Sequence, residues 1–223
     1  LNPLKCENGV YQMDMEAFRE QVKGCKLFIL CNPHNPGGIV WKEEELREIA
    51  EICYDEGVLV FSDEIHADLT LPPHKHRPFA TISEKAKMNS VTFMSPSKAF
   101  NMPGMTASHA IIYNPELRHQ LREFIEACEL DLGHAFAFLS VEAAYSHGTE
   151  WLDQCLTYIQ GNIDYVDAFL KEHAPKIKAI RPQASYLIWL DCREMNLSQK
   201  ALNDFFVDKA HLALNDGAIF GKG

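Results

Sequence analysis

Short apolar runs alternate with helical patterns over the first two-thirds of the chain, and this alternation constrains the fold more than any other feature. Lys26–Cys31 predicts a buried strand, and Lys42–Glu56 a helix with one apolar stripe, because its apolar residues recur three and four positions apart. Further strands are predicted at Val58–Ser62, Val91–Met94 and Ala107–Tyr113. Strands that are apolar on both faces and alternate with helices predict an α/β fold, a doubly wound and mostly parallel sheet covered on both sides.

The last third of the chain has a different pattern. A long helix is predicted over Trp151–Ala174, followed by a strand over Ser185–Asp191 and a helix over Ser198–Ala210. We therefore expect two units, a large sheet domain over residues 1–148 and a smaller α/β domain over residues 149–223, which begins with the long helix between them.

Charge and cysteine content narrow the classes of partner. The chain has 21 Lys and Arg against 31 Asp and Glu, a net charge of −10, which argues against nucleic acid as a partner. No apolar run reaches the roughly 20 residues of a membrane span, and the first residues lack the pattern of a signal peptide. Seven scattered cysteines without a C-x-x-C pair favour reduced, buried thiols and a cytoplasmic location.

Three polar segments, residues 31–38, 62–68 and 95–101, lie at the ends of predicted strands. Ligands of such sheets gather outside the carboxyl ends of the strands, so we expect the three segments to share one pocket. Taken singly, Asn-Pro pairs form turns, an Asp caps a helix and a Lys is solvated. Together, Asn35, Asp63 28 residues later and Lys98 35 residues after that supply an amide, an acid and an amine. With the nearby hydroxyls, this set suits an aromatic aldehyde phosphate.

The same segments carry a family resemblance. D-E-I-H-A-D-L and S-P-S-K-A-F-N-M-P-G resemble the fold-type I pyridoxal-5′-phosphate (PLP) enzymes, the aspartate-aminotransferase-like superfamily, in its cystathionine β-lyase (carbon–sulfur lyase) branch of the PatB/MalY type. The similarity extends from N-P-L-K-C-E-N-G at the start to L-N-D-G-A-I-F-G near the end. It implies a PLP-binding large domain that lacks its first strands, and an incomplete small domain.

The resemblance also implies the roles of five residues. Lys98 matches the lysine that forms a covalent aldimine with PLP and acts as the base at the substrate Cα. Asp63 matches the acid that faces the pyridine nitrogen, and Asn35 the amide that donates to the phenolic oxygen. Ser95 matches a phosphate-binding hydroxyl, and Ser97 is a second candidate.

Two positions depart from the aminotransferase pattern, and both departures resemble the lyase branch. His66 replaces a tyrosine that contacts the phenolic oxygen and is kept among the cofactor-binding residues. Thr106 replaces an arginine that grips the phosphate. The family's glycine-rich phosphate loop, ring-stacking aromatic residue and carboxylate-binding arginine have no counterpart in this chain, which is expected to be an inactive internal fragment.

The resemblance implies elimination from an S-substituted cysteine such as cystathionine, giving thiol, pyruvate and ammonia. The alternatives are a class I/II aminotransferase and a catalytically silent protein that keeps the fold for binding or regulation. The expected partners are a small amino-acid substrate and a second copy of the chain in a homodimer, with no membrane. The His74-x-His76 pair lacks a nearby third ligand, so no metal site is expected.

Overall fold

A computed structural model of the protein describes residues 4–7, 10–131 and 133–221. The elements in chain order are β1 Lys5–Glu7, β2 Val10–Gln12, α1 Met15–Gln21, β3 Leu27–Cys31, α2 Glu43–Asp55, β4 Leu59–Asp63, α3 Glu84–Met88, β5 Ser90–Met94, α4 Pro96–Ala99, β6 His109–Ile111, α5 Pro115–Ala127, α6 Ala135–His147, α7 Thr149–His173, β7 Lys178–Ile180, β8 Trp189–Asp191 and α8 Gln199–Asp208. Most boundaries lie within three residues of the predicted ones.

The main sheet has the strand order β3-β4-β5-β6. The first three strands are parallel, and β6 pairs antiparallel with β5. Cys31, Asp63 and Phe93 lie in register near the carboxyl ends of β3, β4 and β5. The α/β class with a mostly parallel sheet is therefore confirmed, whereas β6 is shorter than the predicted strand Ala107–Tyr113.

One face of this sheet carries the main core. Leu46 and Ile49 of α2 are fully buried together with Leu30 and Val60 of the sheet and Phe18 of α1. Helix α2 begins where Glu45 Oε2 accepts from the Lys42 backbone N–H at 2.8 Å, and three glutamates in its first turn favour the helix dipole. The helix stripe predicted from the sequence is thus the face that packs on the sheet.

The opposite face is only partly covered by the described residues. The side chains of Leu27 and Ile29 are 39% and 67% exposed, so the expectation of a sheet covered on both sides is wrong for this part of the chain. Phe61 and Phe93 pack edge to face there, with ring centroids 5.3 Å apart. Asp63 is two residues beyond Phe61 on β4, so its side chain belongs to the same face.

The last third of the chain contains α7 and the antiparallel pair β7–β8. The predicted strand Ser185–Asp191 is wrong in its first half, because only Trp189–Asp191 is a paired strand. Ser185 has φ +75°, and its N–H donates to Leu69 O at 2.9 Å, so this part of the segment binds a loop that follows β4.

The cysteine prediction is only partly correct. All six cysteines whose side chains are described are free thiols, and Cys6 lies outside the described side chains. Only Cys53 is buried, whereas Cys25 and Cys128 are exposed because they lie at helix ends, outside the apolar faces. Within the described ranges, no helix is long and apolar enough to cross a membrane.

Candidate functional site

The backbone brings the first two polar segments to the carboxyl edge of the sheet. The Asn32 N–H donates to Asp63 O, and the Glu64 N–H donates to Phe93 O, each at 2.9 Å. Each loop is therefore bonded to the end of the next strand, and Ser95 follows β5 directly. The three segments line one edge, as the sequence predicts.

The first segment is a tight turn built around Asn35. The Gly38 N–H donates to His34 O at 2.8 Å, and the Asn35 N–H lies 3.3 Å from the Cys31 sulfur. Burial raises the pKa of the Cys31 thiol, and the negative charge of Asp63 raises it further, so the thiol serves as a neutral support for the turn. Sequence reasoning assigned Cys31 to core packing and missed this contact.

His66 lies at the centre of the candidate site. Its side chain is 2% exposed, and its Nε2 lies 3.0 Å from Asn35 Nδ2. Burial lowers the pKa of His66, the Lys98 amine lowers it further, and the Asp63 carboxylate opposes both effects. The Asn35 amide therefore contacts the imidazole ring, and the charges of Lys98 and Asp63 act on its pKa.

Lys98 is carried by the short helix α4, which starts at Ser95. The Ser95 Oγ accepts from the Ser97 N–H at 3.1 Å and lies 2.6 Å from the Ser97 Oγ. Ser95 also donates its hydrogen to Ala107 O at 2.6 Å, which connects the helix to the loop before β6. A bound anion would compete with Ala107 O for this hydrogen. Thr106, which replaces the family's arginine, is exposed with φ +47°.

A buried acid directly beside Asp63 was missed by the sequence reasoning. Glu64 has no exposed side-chain area, and its carboxylate accepts from Ser62 Oγ at 2.7 Å and from the Phe79 N–H at 2.9 Å. The His76 Nε2 lies 2.7 Å from its second oxygen. The H-x-H motif therefore contributes a loop contact, and within the described residues no cluster of His, Cys, Asp and Glu could hold a metal ion.

A residue from the last third of the chain also lies near His66. The Tyr186 ring lies 6.0 Å from the His66 ring, centroid to centroid. The two residues are 120 positions apart, and Tyr186 lies in a segment predicted as a strand, so no local pattern signalled the contact.

Comparison with known proteins identifies the family. The model of the family "Aminotransferase class I and II" matches residues 3–222. This chain belongs to that family. The chain is 42% identical to the cystathionine β-lyase PatB of Bacillus subtilis, with 100% of this chain and 58% of PatB aligned.

Two solved structures resemble this chain both in fold and in sequence. Cystalysin from Treponema denticola, which contains PLP, matches with a TM-score of 0.92 and 34% identity over 98% of this chain and 56% of its own. The PLP-bound C-S lyase from Staphylococcus hominis matches with a TM-score of 0.89 and 31% identity over 100% and 57%. The chain thus spans somewhat more than half the length of these relatives.

Proposed function

We propose that this protein is a PLP-dependent carbon–sulfur β-lyase that cleaves cystathionine or another S-substituted cysteine to a thiol, pyruvate and ammonia. The observation that carries the proposal is the buried ring of His66 at the carboxyl edge of the sheet, with the Asn35 amide nitrogen 3.0 Å from its Nε2 and with the charges of Lys98 and Asp63 acting on its pKa. The family match and the similarity to PatB support the same reading.

The donor set fits PLP by its chemistry. Lys98 offers an amine to an aldehyde, Asp63 a carboxylate to a ring nitrogen, and Asn35 an amide to a phenolic oxygen, with the His66 imidazole next to that amide. Ser95 and Ser97 offer hydroxyls to a phosphate, once the Ser95 hydrogen leaves Ala107 O. All six residues belong to segments at the same edge of the sheet.

The residues then divide the chemistry between them. When bound, PLP supplies an aromatic ring that can accept the electron pair left at the substrate Cα. Lys98 Nζ would take the proton from Cα, and as the electron pair left there forms a double bond to Cβ, the Cβ–S bond would break and the thiolate would leave with its bonding pair. Water would then hydrolyse the remaining enamine to pyruvate and ammonia. The Asp63 carboxylate would favour a protonated ring nitrogen.

An aminotransferase is the second candidate, favoured by the name of the matching family. It would use the same amine and the same acid but would need a 2-oxo acid to complete its cycle. The two activities therefore differ in their requirement for an acceptor.

Incubation of the complete protein with cystathionine and PLP separates the two. We expect thiol and pyruvate to form without a 2-oxo acid, and Lys98→Ala to abolish both products. Lys87→Ala, which removes a lysine from the neighbouring helix α3, should leave the rate unchanged. Strict dependence on an added 2-oxo acid would contradict the lyase and favour the aminotransferase.

Assembly and location follow as parts of the proposal. We infer a large PLP domain over residues 1–148, a small domain over 149–223, a cytoplasmic location and a homodimer. Exposed apolar side chains on α6 support the dimer, among them Phe136, Phe138 and Leu139 at 61–68% exposure. The mass of the complete protein in solution would test it, and a monomer would contradict it.

A further inference from the structure

We propose that His66 is a positioning residue that acts through Asn35: its Nε2 holds one N–H of the Asn35 amide and leaves the other N–H free to donate to a ligand oxygen. This inference rests on the proposed function, since it assigns the ligand oxygen to PLP. It also changes the part expected of His66, from a direct contact with the cofactor to a contact with the residue that binds it.

The hydrogen-bond inventory of the two side chains carries the first step. The atoms 3.0 Å apart are Asn35 Nδ2 and His66 Nε2. An amide nitrogen can only donate, so the imidazole Nε2 accepts, and the single hydrogen of a neutral ring then sits on Nδ1. An Asn amide carries two N–H groups, so one remains for another acceptor.

The surroundings of His66 keep its ring in that neutral form. The side chain is 2% exposed, and the Lys98 amine and burial both act to lower its pKa, while Asp63 is the acid that opposes them. A protonated ring would carry an N–H on Nε2. Nε2 and Asn35 Nδ2 would then both be donors, and no hydrogen bond could form between them. The accepting role of Nε2 therefore depends on a buried, uncharged imidazole.

The backbone of Asn35 is fixed independently of His66. Its N–H lies 3.3 Å from the Cys31 sulfur, and the turn that carries it is closed by the bond from Gly38 N to His34 O. The remaining freedom of the residue is the orientation of its side chain. His66 is the described partner of the amide nitrogen, and it sets that orientation from the next segment of the site.

A double-mutant cycle tests the proposal in the complete protein. His66→Phe keeps the bulk of the ring and removes the acceptor, and Asn35→Ala removes the amide. We expect His66→Phe to raise the dissociation constant for PLP about tenfold when Asn35 is present, the size of one lost hydrogen bond, and less than about twofold in the Asn35→Ala background. PLP affinity of the apoprotein is the readout, measured by absorbance titration.

His66→Gln is the conservative variant. Its side-chain oxygen reaches roughly the position of Nε2 and can accept from Asn35, so we expect PLP affinity within about threefold of the original. The apo forms, compared by urea unfolding, check that all variants are folded. If both substitutions merely destabilised the protein, both would weaken PLP binding. Affinity retained by His66→Gln alone therefore cannot be explained by stability.

Three results would overturn the proposal. Equal losses from His66→Phe with and without Asn35 would mean that His66 acts on PLP independently of the amide. A His66→Gln protein as weak as His66→Phe would mean that acceptance from Asn35 is not its role. Failure of the unsubstituted protein to bind PLP would overturn the proposed function together with this inference, whereas additive losses in a PLP-binding protein overturn this inference alone.

Discussion

The His66 ring is buried, and the charges of Lys98 and Asp63 act on its pKa in opposite directions. Burial has the largest effect on its pKa, and the net result is a value below the ordinary 6.5. A histidine in an unfolded chain takes up a proton near pH 6.5, whereas the folded protein disfavours that proton. At residue scale, the burial of His66 therefore makes the free energy of unfolding depend on pH.

The sign of that dependence follows from proton linkage. Below about pH 6.5 the unfolded state binds more protons at His66 than the folded state does. The free energy of unfolding is therefore highest above that pH and falls as the pH falls towards the folded pKa of His66. We expect the free energy of unfolding of the original protein to fall more steeply between pH 7 and 5 than that of His66→Phe. His119→Phe, which removes an exposed histidine, should keep the original slope. Parallel pH profiles for all three proteins would contradict this prediction.

Sequence patterns predicted that three polar segments lie at one edge of the sheet but not the contacts of His66. Asn35, Asp63 and Lys98 lie at or beyond the carboxyl ends of β3, β4 and β5, so their place at one edge follows from the parallel sheet. The bond between Asn35 and His66 depends on how two loops fold against each other, and neither spacing nor residue type specifies it. The same limit applies to Glu64, which lies beside Asp63 in the sequence but is directed to the opposite face of β4.

At the scale of elements, the loop that follows the second segment is held to the ends of two strands. The Asn32 side chain donates to Arg77 O at 3.1 Å, and Glu64 accepts from the Phe79 N–H and pairs with His76. Asn32 and Glu64, at the ends of β3 and β4, thus hold the loop over residues 76–79 in place. Asp63 makes none of these bonds. Glu64 connects the strand end to the loop through three hydrogen bonds.

Loss of that connection should reduce stability strongly. Because Glu64→Ala leaves His76, Ser62 Oγ and the Phe79 N–H without their shared acceptor, we expect the free energy of unfolding to fall by about 3 kcal/mol. Glu64→Gln keeps an acceptor for two of these donors and should lose less than half as much. Glu48→Ala, which removes an exposed ion pair with Arg19, should stay within about 1 kcal/mol. Urea unfolding measures all three, and equal losses for Glu64→Ala and Glu48→Ala would refute the account.

At the scale of the whole molecule, the segment after β7 binds the first polar segment. The Gln183 N–H donates to Gly38 O at 2.7 Å, and Gln183 Oε1 accepts from the Val40 N–H at 2.9 Å. Pro182 packs so closely that a Cβ on Gly38 would lie 2.6 Å from the Pro182 Cβ. The turn that carries Asn35 is therefore held in part by the segment that follows β7.

Gly38→Ala should disturb this contact beyond the ordinary cost of its backbone conformation. Gly57 has the same φ of +66°, but a Cβ added there would meet no atom within 4 Å, so Gly57→Ala measures the conformational cost alone, about 1–2 kcal/mol. We expect Gly38→Ala to lose about 1–3 kcal/mol more in urea unfolding, because Pro182 and its backbone must move. Equal losses of unfolding free energy for the two variants would show that Pro182 can move away from the new Cβ at no cost, which would contradict this prediction.

Contacts between residues distant in sequence were the part of the fold that the sequence did not predict. The strands of the main sheet, helix α2 and helix α7 have strong local patterns, and the structure confirms them. The first half of the predicted strand Ser185–Asp191 has an equally apolar pattern, yet its backbone bonds to Leu69 O and its Tyr186 approaches His66. A tertiary contact decides its conformation, and a local pattern carries no information about that partner.

The central claim is that Lys98 is the amine that holds PLP. The most direct measurement is reduction of the PLP-loaded complete protein with sodium borohydride, which fixes the cofactor permanently to the amine that bears it, followed by mass analysis of the peptides. We predict one phosphopyridoxyl group per chain on Lys98, and none after Lys98→Ala. A label on another lysine, such as Lys75 or Lys87, or no label in a protein that had absorbed as a PLP complex, would contradict the account.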